Sequence, residues 1–413
     1  MEETKVISLL KEYHQEHIIQ ALSHMQEEKR EGLLNQLKDI DLEQMKKLYE
    51  NKNVDYNTDG KITPISYVDK QRLSKEQLEK YVAIGEQKIK SGKYAFATMA
   101  GGQGTRLGCH GPKGKFMLDI LPEPKSLFEI LANSLKRANQ KYDVSIPWYI
   151  MTSRENNQDT IEFFKENQYF GYNKKDIMFF TQNELPLISE QGKLLLGEDF
   201  LIKEAADGNG GIFESMLRSG VLADMNKRDI QWIFIGSVDN AILQMVDPLL
   251  LGLTISQNHE IASKTVTKAN PHERVGVFCK KNGLPKVIEY TELSEEMAEQ
   301  TDENGELLYG ESHIMCNLFS TKALEKISKE KLAYHSAFKK ANYLDENFNL
   351  VVSDKPNAYK FEAFIFDSFE FFDDITILRS KREEEFAPIK NKEGADSPET
   401  AKKLYNDFWK LNK

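Results

Sequence analysis

Helical spacing marks the first 90 residues, where apolar and aromatic positions are separated by charged ones. The spaced positions are Leu9, Tyr13, His17, Leu22 and Met25. Such spacing predicts amphipathic helix. Residues 51–75 are rich in Asn, Asp, Gly and Pro and predict a crossing loop. Ser74 and Gln77 then resemble a capping box, which opens a helix that ends near Lys90. We therefore predict a helical N-terminal region over 1–90 that caps a larger domain.

From residue 94 onward, short uncharged runs alternate with amphipathic segments. The runs predict strands over 94–100, 146–151, 176–180 and 230–235. The segments between them predict helices over 126–142 and 159–167. Strands that alternate with helices indicate a mostly parallel sheet covered on both faces. Ligands of such sheets bind beyond the carboxyl ends of the strands.

After residue 255 the pattern changes to short strands joined by AsnPro, AsnGly and GluAsnGly turns. These strands are predicted over 260–265, 275–279 and 286–290, as an extension of the same sheet. The predicted fold is therefore α/β, with a mixed, mostly parallel sheet. Residues 91–375 form the main domain, and 376–413 form a small C-terminal region.

Charge and composition limit the possible partners. The 413 residues contain 55 Lys plus Arg against 65 Asp plus Glu, a net charge of -10. This argues against a duplex nucleic-acid partner, which requires a basic face, but it leaves room for a small phosphate ligand. No apolar run approaches the ~20 residues that span a bilayer, so we predict no membrane partner.

The chain start and the cysteines indicate a compartment. The start, MEETKVISLL, lacks a basic stretch followed by an apolar core, so we predict no signal peptide. Cys109, Cys279 and Cys316 are far apart and form neither a disulfide framework nor a zinc-binding spacing. We predict a soluble protein of the reducing cytoplasm. The sequence gives no indication of an oligomeric state.

A glycine-rich loop follows the first predicted strand. It has the sequence AGGQGTRLG at 100–108 and continues as PKGK at 112–115. Its glycines let backbone amides approach an anion, while Arg106, Lys113 and Lys115 supply positive charge. Two known phosphate loops do not fit. The Walker A pattern fails because five residues separate Gly108 from Gly114 and Phe116 replaces Ser or Thr, and the dinucleotide pattern G-x-G-x-x-G fails by one position.

The loop resembles the signature of the sugar-1-phosphate uridylyltransferases. Further segments resemble this family in the same order between about 94 and 400. They are YIMTS (149–153), FFTQNELP (179–186), DGNGG (207–211), SVDN (237–240), VGVF (275–278), VIEYTE (287–292), KPNAYKFEAFIFD (355–367) and REEEFAPIKN (382–391). The set is most similar to the eukaryotic-type UDP-N-acetylhexosamine pyrophosphorylases. The resemblance implies a Rossmann-like nucleotidyltransferase fold, similar to that of GT-A glycosyltransferases. It also implies the substrates UTP and a sugar 1-phosphate, and the products UDP-sugar and pyrophosphate.

The resemblance also implies roles for particular residues. Catalytic cations would be Arg106, Lys113 and Lys390. Nucleotide-binding residues would be Gly101, Gly102, Gly104, Thr105, Gln182 and Gly208, with Gln182 reading uracil through its amide. Substrate-binding residues would be Asn209, Gly276, Glu289, His313 and Lys360.

Two aspartates are candidates for a Mg²⁺ site. Asp239 ends the predicted strand over 230–235 and its continuation GSVD, where a carboxylate could hold Mg²⁺ together with phosphate oxygens. The resemblance makes it the metal aspartate. Asp367 follows FEAFIF and is a second candidate, with a helix cap or a solvated loop as the equal alternative.

Two departures from the family pattern leave the sugar open. Ser312 and His313 stand where the acetylhexosamine enzymes have a Gly-Asn pair that contacts the sugar, and Arg274 stands where a proline is expected. N-acetylglucosamine, N-acetylgalactosamine, glucose and galactose 1-phosphates all remain possible. The first two are the expected substrates, and a glucose-specific or broad-specificity enzyme is the alternative.

Two other functions are alternatives for this sequence. A glycosyltransferase could share the nucleotide-binding sheet, but its usual Asp-x-Asp metal motif is reduced here to Ser237-Val238-Asp239. A non-catalytic UDP-sugar sensor could also share the fold. Retention of Arg106, Lys113 and Asp239 together argues against a sensor.

Overall fold

The computed structural model describes residues 3–53 and 60–411. The α-helices in these residues are α1 (Glu3–Glu12), α2 (Glu16–His24), α3 (Glu27–Asp39), α4 (Leu42–Glu50), α5 (Lys75–Lys90), α6 (Leu127–Tyr142), α7 (Asn157–Glu166), α8 (Ile212–Arg218), α9 (Val221–Lys227), α10 (Pro248–Ser256), α11 (Glu295–Glu299), α12 (Thr321–Ile327), α13 (Arg382–Glu385) and α14 (Pro398–Leu411). None of these helices is both long enough and apolar enough to cross a bilayer.

Most of the strands belong to one sheet. Within the same residues they are β1 (Ile62–Pro64), β2 (Val68–Asp69), β3 (Tyr94–Met99), β4 (Met117–Leu118), β5 (Lys125–Ser126), β6 (Trp148–Thr152), β7 (Ile177–Thr181), β8 (Glu184–Pro186), β9 (Ile188–Ser189), β10 (Glu204–Ala206), β11 (Trp232–Ser237), β12 (Ile261–Thr267), β13 (Val277–Lys281), β14 (Leu284–Ile288), β15 (Glu311–Ser320), β16 (His335–Lys339), β17 (Tyr343–Leu344), β18 (Leu350–Val351), β19 (Ala358–Glu362) and β20 (Thr376–Arg379).

The main sheet has the order β2-β20-β12-β15-β11-β3-β6-β7. Strands β11, β3, β6 and β7 pair in parallel, whereas β15 runs antiparallel to both β11 and β12. Strand β13 joins β15 through Val277 and Ser312, and it also pairs with β1 and β14. The prediction of a mixed, mostly parallel sheet is confirmed, as is the prediction that the strands after residue 255 extend it.

The central strands are buried on both faces. All six residues of β3 are buried, as are all five of β6. This explains why their sequences are nearly continuous apolar runs. The buried polar side chain of Thr98 is satisfied, because it accepts a hydrogen bond of 2.7 Å from the Trp148 indole.

Internal contacts divide the described residues into two units. The first comprises the described parts of Met1–Thr58, Asn183–Gly211 and Leu332–Ile365. The second comprises the described parts of Asp59–Gln182, Ile212–Lys331 and Phe366–Lys413 and contains the main sheet. The first unit has its own apolar core, in which α1 to α4 pack with β9 and β19. The boundaries predicted along the sequence, at 90/91 and 375/376, stay predictions.

The predicted crossing loop over 51–75 is partly wrong. Its residues 62–64 and 68–69 form β1 and β2, which pair with β13 and β20. Strands of two or three residues carry no periodic pattern, and only their distant partners define them. Residues 54–59 of the predicted loop lie outside the described residues. The capping box of Ser74 and Gln77 at the start of α5 is confirmed.

Helices α5 and α10 cross at two glycines. A Cβ on Gly85 would lie 1.9 Å from the Pro248 carbonyl oxygen, and a Cβ on Gly252 would lie 1.7 Å from that of Tyr81. The backbones are therefore too close for any side chain at either position. Such close packing holds α5 and α10, which both belong to the second unit, in one arrangement relative to each other.

We predict that Gly252→Ala lowers the free energy of unfolding by about 1–3 kcal/mol, because the added methyl group forces the two helices apart. The measurement is urea unfolding followed by circular dichroism. Gly32→Ala in α3 is the matched control. Gly32 is an exposed helical glycine whose Cβ would meet only the Leu201 side chain at 3.8 Å, so this change should be neutral or stabilising by about 0.5–1 kcal/mol. Equal effects of the two substitutions would contradict the packing argument.

Candidate functional site

The carboxyl ends of four parallel strands lie at one edge of the main sheet. Ser237 of β11 pairs with Met99 of β3, and Met99 in turn pairs with Met151 of β6. Thr152 pairs with Thr181 at the end of β7. The polar segments that follow these strands therefore meet at the same edge, where the sequence predicted a ligand site.

The glycine-rich loop folds back on itself. The Gly104 amide donates to the Gly111 carbonyl at 2.9 Å, and the Lys113 amide donates to the Gly102 carbonyl at 3.0 Å. These bonds return the chain to its starting point, so that Lys113 lies beside Gly102 rather than far along a loop. Apart from Gly102 and its two chain neighbours, no heavy atom of the described residues lies within 4 Å of where a Cβ on Gly102 would be, which leaves this backbone open to a ligand.

Gln182 lies against the start of this loop. It directly follows β7, is 8% exposed, and donates its backbone amide to the Thr152 carbonyl at 2.7 Å. A Cβ on Gly101 would lie 3.1 Å from Gln182 Oε1. The structure thus brings together Gly101 and the predicted uracil-reading amide, and a larger residue at 101 would crowd that amide.

Lys113 and Asp239 form an ion pair at the sheet edge. Lys113 Nζ lies 3.0 Å from Asp239 Oδ2, and both side chains are about four-fifths buried. A cation and a carboxylate, both reachable from solvent and next to open glycine amides, form an arrangement suited to a polyphosphate bound with a divalent metal ion.

The other two predicted catalytic cations, Arg106 and Lys390, are not part of the ion pair of Lys113 and Asp239. Thr105 and Arg106 lie exposed in the short helical turn Thr105–Leu107. Lys390 is exposed, and its Nζ lies 4.0 Å from Asp396 Oδ2. Gly104 differs from the open Gly102, because a Cβ on Gly104 would lie 3.0 Å from the Cys109 Cβ. Its predicted place in nucleotide binding stays a prediction.

A second group of predicted residues meets where β13 joins β15. The His313 amide donates to the Gly276 carbonyl at 2.9 Å. A Cβ on Gly276 would lie 2.8 Å from Val287 Cγ1 and 3.3 Å from Glu289 Oε1, so only glycine fits. Strand β15 runs antiparallel to β11, and its Cys316 pairs with Gly236 near the carboxyl end of β11. The residues of β15 from Cys316 back to Glu311 therefore extend beyond that end. His313 is one of them, so it lies at the same edge of the sheet as the glycine-rich loop.

The His313 ring is held in one orientation. Phe278, Phe366 and Phe369 contact it edge-on, with ring centroids 5.4–6.0 Å away. Its Nε2 lies 3.1 Å from Asn317 Oδ1, which also accepts a 2.9 Å bond from Ser263 Oγ. Because an amide oxygen only accepts, Nε2 carries the ring proton and Nδ1 is left as an acceptor. Burial lowers the pKa of His313 to about 4, so the ring is neutral at physiological pH.

Three predicted residues belong to the first unit. Gly208 has a φ of +88°, and a Cβ there would lie 2.2 Å from the Ala363 carbonyl oxygen, so glycine is required on both counts. Asn209 accepts a 2.7 Å bond from the Ile365 amide. Lys360 of β19 donates to Glu362 at 2.7 Å. These residues therefore lie along one segment, 358–365, and the turn that packs on it.

Asp367 is buried in the short helical segment Ile365–Phe371, next to Phe366 and Phe369, which contact His313.

Across residues 3–53 and 60–411, no three His, Cys, Asp or Glu side chains form a metal-binding group. A Mg²⁺ ion needs only one or two carboxylates when phosphates complete its shell. The Asp239 carboxylate is partly exposed, so it can supply one of these carboxylate ligands. The part of Asp367 in such a site stays a prediction.

Three buried asparagines that position the site were missed from the sequence. Asn156 donates to the Ala100 carbonyl at 3.1 Å, Asn240 donates to the Glu385 carbonyl at 2.7 Å, and Asn317 accepts from Ser263. Asn240 lies inside the segment SVDN, so a sequence signal for it exists. Asn156 and Asn317 have no sequence signal, because their partners are distant backbone and side-chain groups.

A known protein family matches most of the chain. The family model described as UTP–glucose-1-phosphate uridylyltransferase matches residues 33–396. A probable UDP-N-acetylglucosamine pyrophosphorylase of Schizosaccharomyces pombe is 36% identical, over 98% of this chain and 89% of that protein. The UDP-N-acetylglucosamine pyrophosphorylase of Saccharomyces cerevisiae is 37% identical, over 83% of this chain and 74% of that protein.

Solved structures show the same likeness. The crystal structure of the uridine diphosphate N-acetylglucosamine pyrophosphorylase from Trypanosoma brucei, in complex with an inhibitor, matches with a TM-score of 0.85 and 30% identity. The match covers 98% of this chain and 84% of that one. The predicted Rossmann-like fold with its mostly parallel sheet is therefore confirmed.

We predict that His313 stays neutral from pH 8 to pH 5. Because its folded pKa is about 4, below the unfolded value of about 6.5, only the unfolded chain gains a proton as the pH falls through this interval. Stability should therefore drop by up to about 1.4 kcal/mol per pH unit between pH 6.5 and pH 4 on account of this residue.

Urea unfolding at several pH values tests this, with His313→Gln as the control that lacks the titrating ring. The variant should show a shallower loss of stability with acid than the wild type. Identical pH slopes, or a His313 ring resonance that titrates near pH 6.5, would contradict the neutral ring.

Proposed function

Since the chain belongs to the family of UTP–glucose-1-phosphate uridylyltransferases, the UDP-sugar pyrophosphorylases, we propose that it forms UDP-N-acetylglucosamine and pyrophosphate from UTP and N-acetylglucosamine 1-phosphate. The uridylyltransferase class follows from the family. The sugar is inferred from the names of relatives that are 30–37% identical.

The chemistry of this reaction requires charge rather than a base. A phosphate oxygen of the sugar phosphate attacks the α-phosphorus of UTP, and pyrophosphate leaves from the opposite side. The attacking oxygen is already anionic, so no general base has to remove a proton. The protein must instead hold two polyanions in line and stabilise the negative charge on the transferred group.

The observation that best supports this function is the 3.0 Å pair of Lys113 and Asp239 beside the open backbone of Gly102. In the proposal, Lys113 and Arg106 bind the triphosphate, and backbone amides of Gly101 and Gly102 approach it. When nucleotide binds, Lys113 Nζ exchanges its carboxylate partner for phosphate oxygens. Glycosyl transfer by a GT-A-like enzyme would give no role to this lysine and its loop.

In the proposal, residues next to the glycine-rich loop recognise uracil, and residues where β13 joins β15 recognise the sugar. Gln182 beside Gly101 can donate to and accept from one edge of uracil. Glu289 and the Nδ1 acceptor of His313 suit the hydroxyl and amide donors of an acetylated sugar. Gly208, Asn209, Lys360 and Lys390 are proposed contacts of the same substrates.

A divalent metal ion is part of the proposal. Asp239 would hold Mg²⁺, which would neutralise charge on the phosphate oxygens when bound. Asp367 is proposed as a second carboxylate. The cytoplasmic location predicted from the sequence remains a prediction.

Pyrophosphate release tests the proposed function. The assay supplies UTP, Mg²⁺ and one of four sugar 1-phosphates: N-acetylglucosamine, N-acetylgalactosamine, glucose or galactose. We expect the highest kcat/KM with N-acetylglucosamine 1-phosphate, little release when ATP replaces UTP, and loss of release when EDTA removes the metal. A preference for glucose 1-phosphate would overturn the sugar assignment. UDP-sugar binding without any release would instead indicate the sensor.

We predict that Lys113→Met lowers kcat by about 10²–10³-fold, because the developing charge on the phosphates loses its nearest cation. Lys115→Met is the matched control. It removes a lysine two residues away whose ammonium lies over the Phe163 ring, 5.4 Å from its centroid, and it should leave kcat within about threefold of the wild type. Steady-state kinetics with circular dichroism spectra of both variants make the comparison. Equal losses would show that Lys113 has no special role.

A further inference from the structure

A backbone strap holds two of the proposed catalytic residues in place. We define this strap as residues 385–390, which pair with residues 239–241. Ile389 donates its amide to the Asp239 carbonyl at 2.9 Å, and Ala241 donates to the Ala387 carbonyl at 3.0 Å. Lys390 is the next residue of the strap. The position of Lys390 relative to Asp239 therefore depends on this pairing.

Asn240 adds side-chain bonds between the same segments. Its amide nitrogen donates to the Glu385 carbonyl at 2.7 Å, and its oxygen accepts from the Ala387 amide at 2.9 Å. Asn240 is 2% exposed. The strap begins at Glu385, which is the first strap residue that Asn240 binds. A contact that holds Glu385 in place therefore also holds the start of the strap.

Glu385 is fixed by a buried lysine. Lys264 of β12 is fully buried, and its Nζ lies 2.6 Å from Glu385 Oε2 and 3.1 Å from Asp247 Oδ2. The register of β12 with β15 shifts between Ser263, which faces Asn317, and Thr265, which faces His313. The extra residues lie on β15, so Lys264 stands opposite this bulge.

The carboxylate of Glu385 is buried at the start of the strap. The Glu385 side chain is only 4% exposed, and it lies at the wall of a cavity of about 620 Å³ together with Lys70, Gln244 and Leu404. Little water reaches this carboxylate, so its charge depends on the Lys264 ammonium for neutralisation. A buried pair of this geometry is costly to break, which makes it a strong restraint on Glu385.

We propose that Lys264 is a positioning residue for uridylyl transfer. Through Glu385 it fixes the strap and thereby holds Lys390 and Asp239 in the arrangement that the reaction requires. Lys264 does not touch substrate. The inference rests on the proposed function for its catalytic consequence, but the restraint of the strap can be tested without any turnover.

The cluster offers a matched pair of isosteric variants. Glu385→Gln and Asp247→Asn each remove one negative charge from beside Lys264. Only Glu385 belongs to the strap, since Asp247 caps α10 by accepting a bond from the Leu250 amide. Asparagine also serves as an N-cap, so Asp247→Asn keeps that helix start. Lys264→Met is the third variant and removes the cation itself.

Hydrogen exchange of the full-length folded protein gives the first readout. We expect amides within 386–390 to exchange at least 10-fold faster in Glu385→Gln and Lys264→Met than in the wild type, and within twofold of it in Asp247→Asn. Equal acceleration by Glu385→Gln and Asp247→Asn, or none by either, would overturn the proposal. If Lys264→Met does not fold, the two isosteric variants still decide the question.

Steady-state kinetics give the second readout. We expect Glu385→Gln to lower kcat at least 10-fold while the KM values for UTP and sugar phosphate change less than threefold, since the strap affects alignment more than ligand capture. Asp247→Asn should keep kcat near the wild-type value. An unchanged kcat together with a loosened strap would overturn the catalytic part of the inference. A wild-type protein without uridylyl transfer would contradict the proposed function and leave the exchange result standing.

Discussion

The parallel pairing of β11, β3, β6 and β7 is the constraint on which the site depends. Because these strands run in the same direction and pair in register, every chain segment that leaves them does so at one edge. The glycine-rich loop, Gln182 and Asp239 are distant in sequence, yet all three follow such a strand. The sheet is covered on both faces, and a shift of register by one residue would exchange the side chains that pack on each face and disrupt both sets of contacts.

Charge at this edge is local and paired, in a protein whose net charge is -10. Lys113 and Asp239 neutralise each other at 3.0 Å and remain reachable from solvent. An acidic protein can thus present a cation to a phosphate ligand without a basic surface. His313 behaves in the opposite way: its ring is partly buried, neutral and fixed by Asn317, so it supplies hydrogen-bond geometry and no charge.

Buried polar side chains connect the sheet to the loops around it. Asn156 holds the start of the glycine-rich loop, Asn240 holds the strap, and Lys264 anchors the strap to β12. Each of these groups has lost its contact with water and is satisfied by partners on other segments, which makes it specific for one arrangement. The loops of the site are therefore held by hydrogen bonds and ion pairs as well as by apolar packing.

The sequence by itself determined the main strands of the parallel sheet and the order of the site segments. Continuous apolar runs identified β3, β6, β7 and β11, since central strands of a covered parallel sheet favour apolar residues on both faces, and glycines next to lysines identified the phosphate loop. The tertiary structure alone decided which of these residues meet. The pairing of Lys113 with Asp239 spans 126 residues, and that of Lys264 with Glu385 spans 121. The strands β1 and β2 likewise exist only through distant partners. Local pattern encodes local conformation, whereas contacts between distant segments depend on the register and packing of the whole sheet.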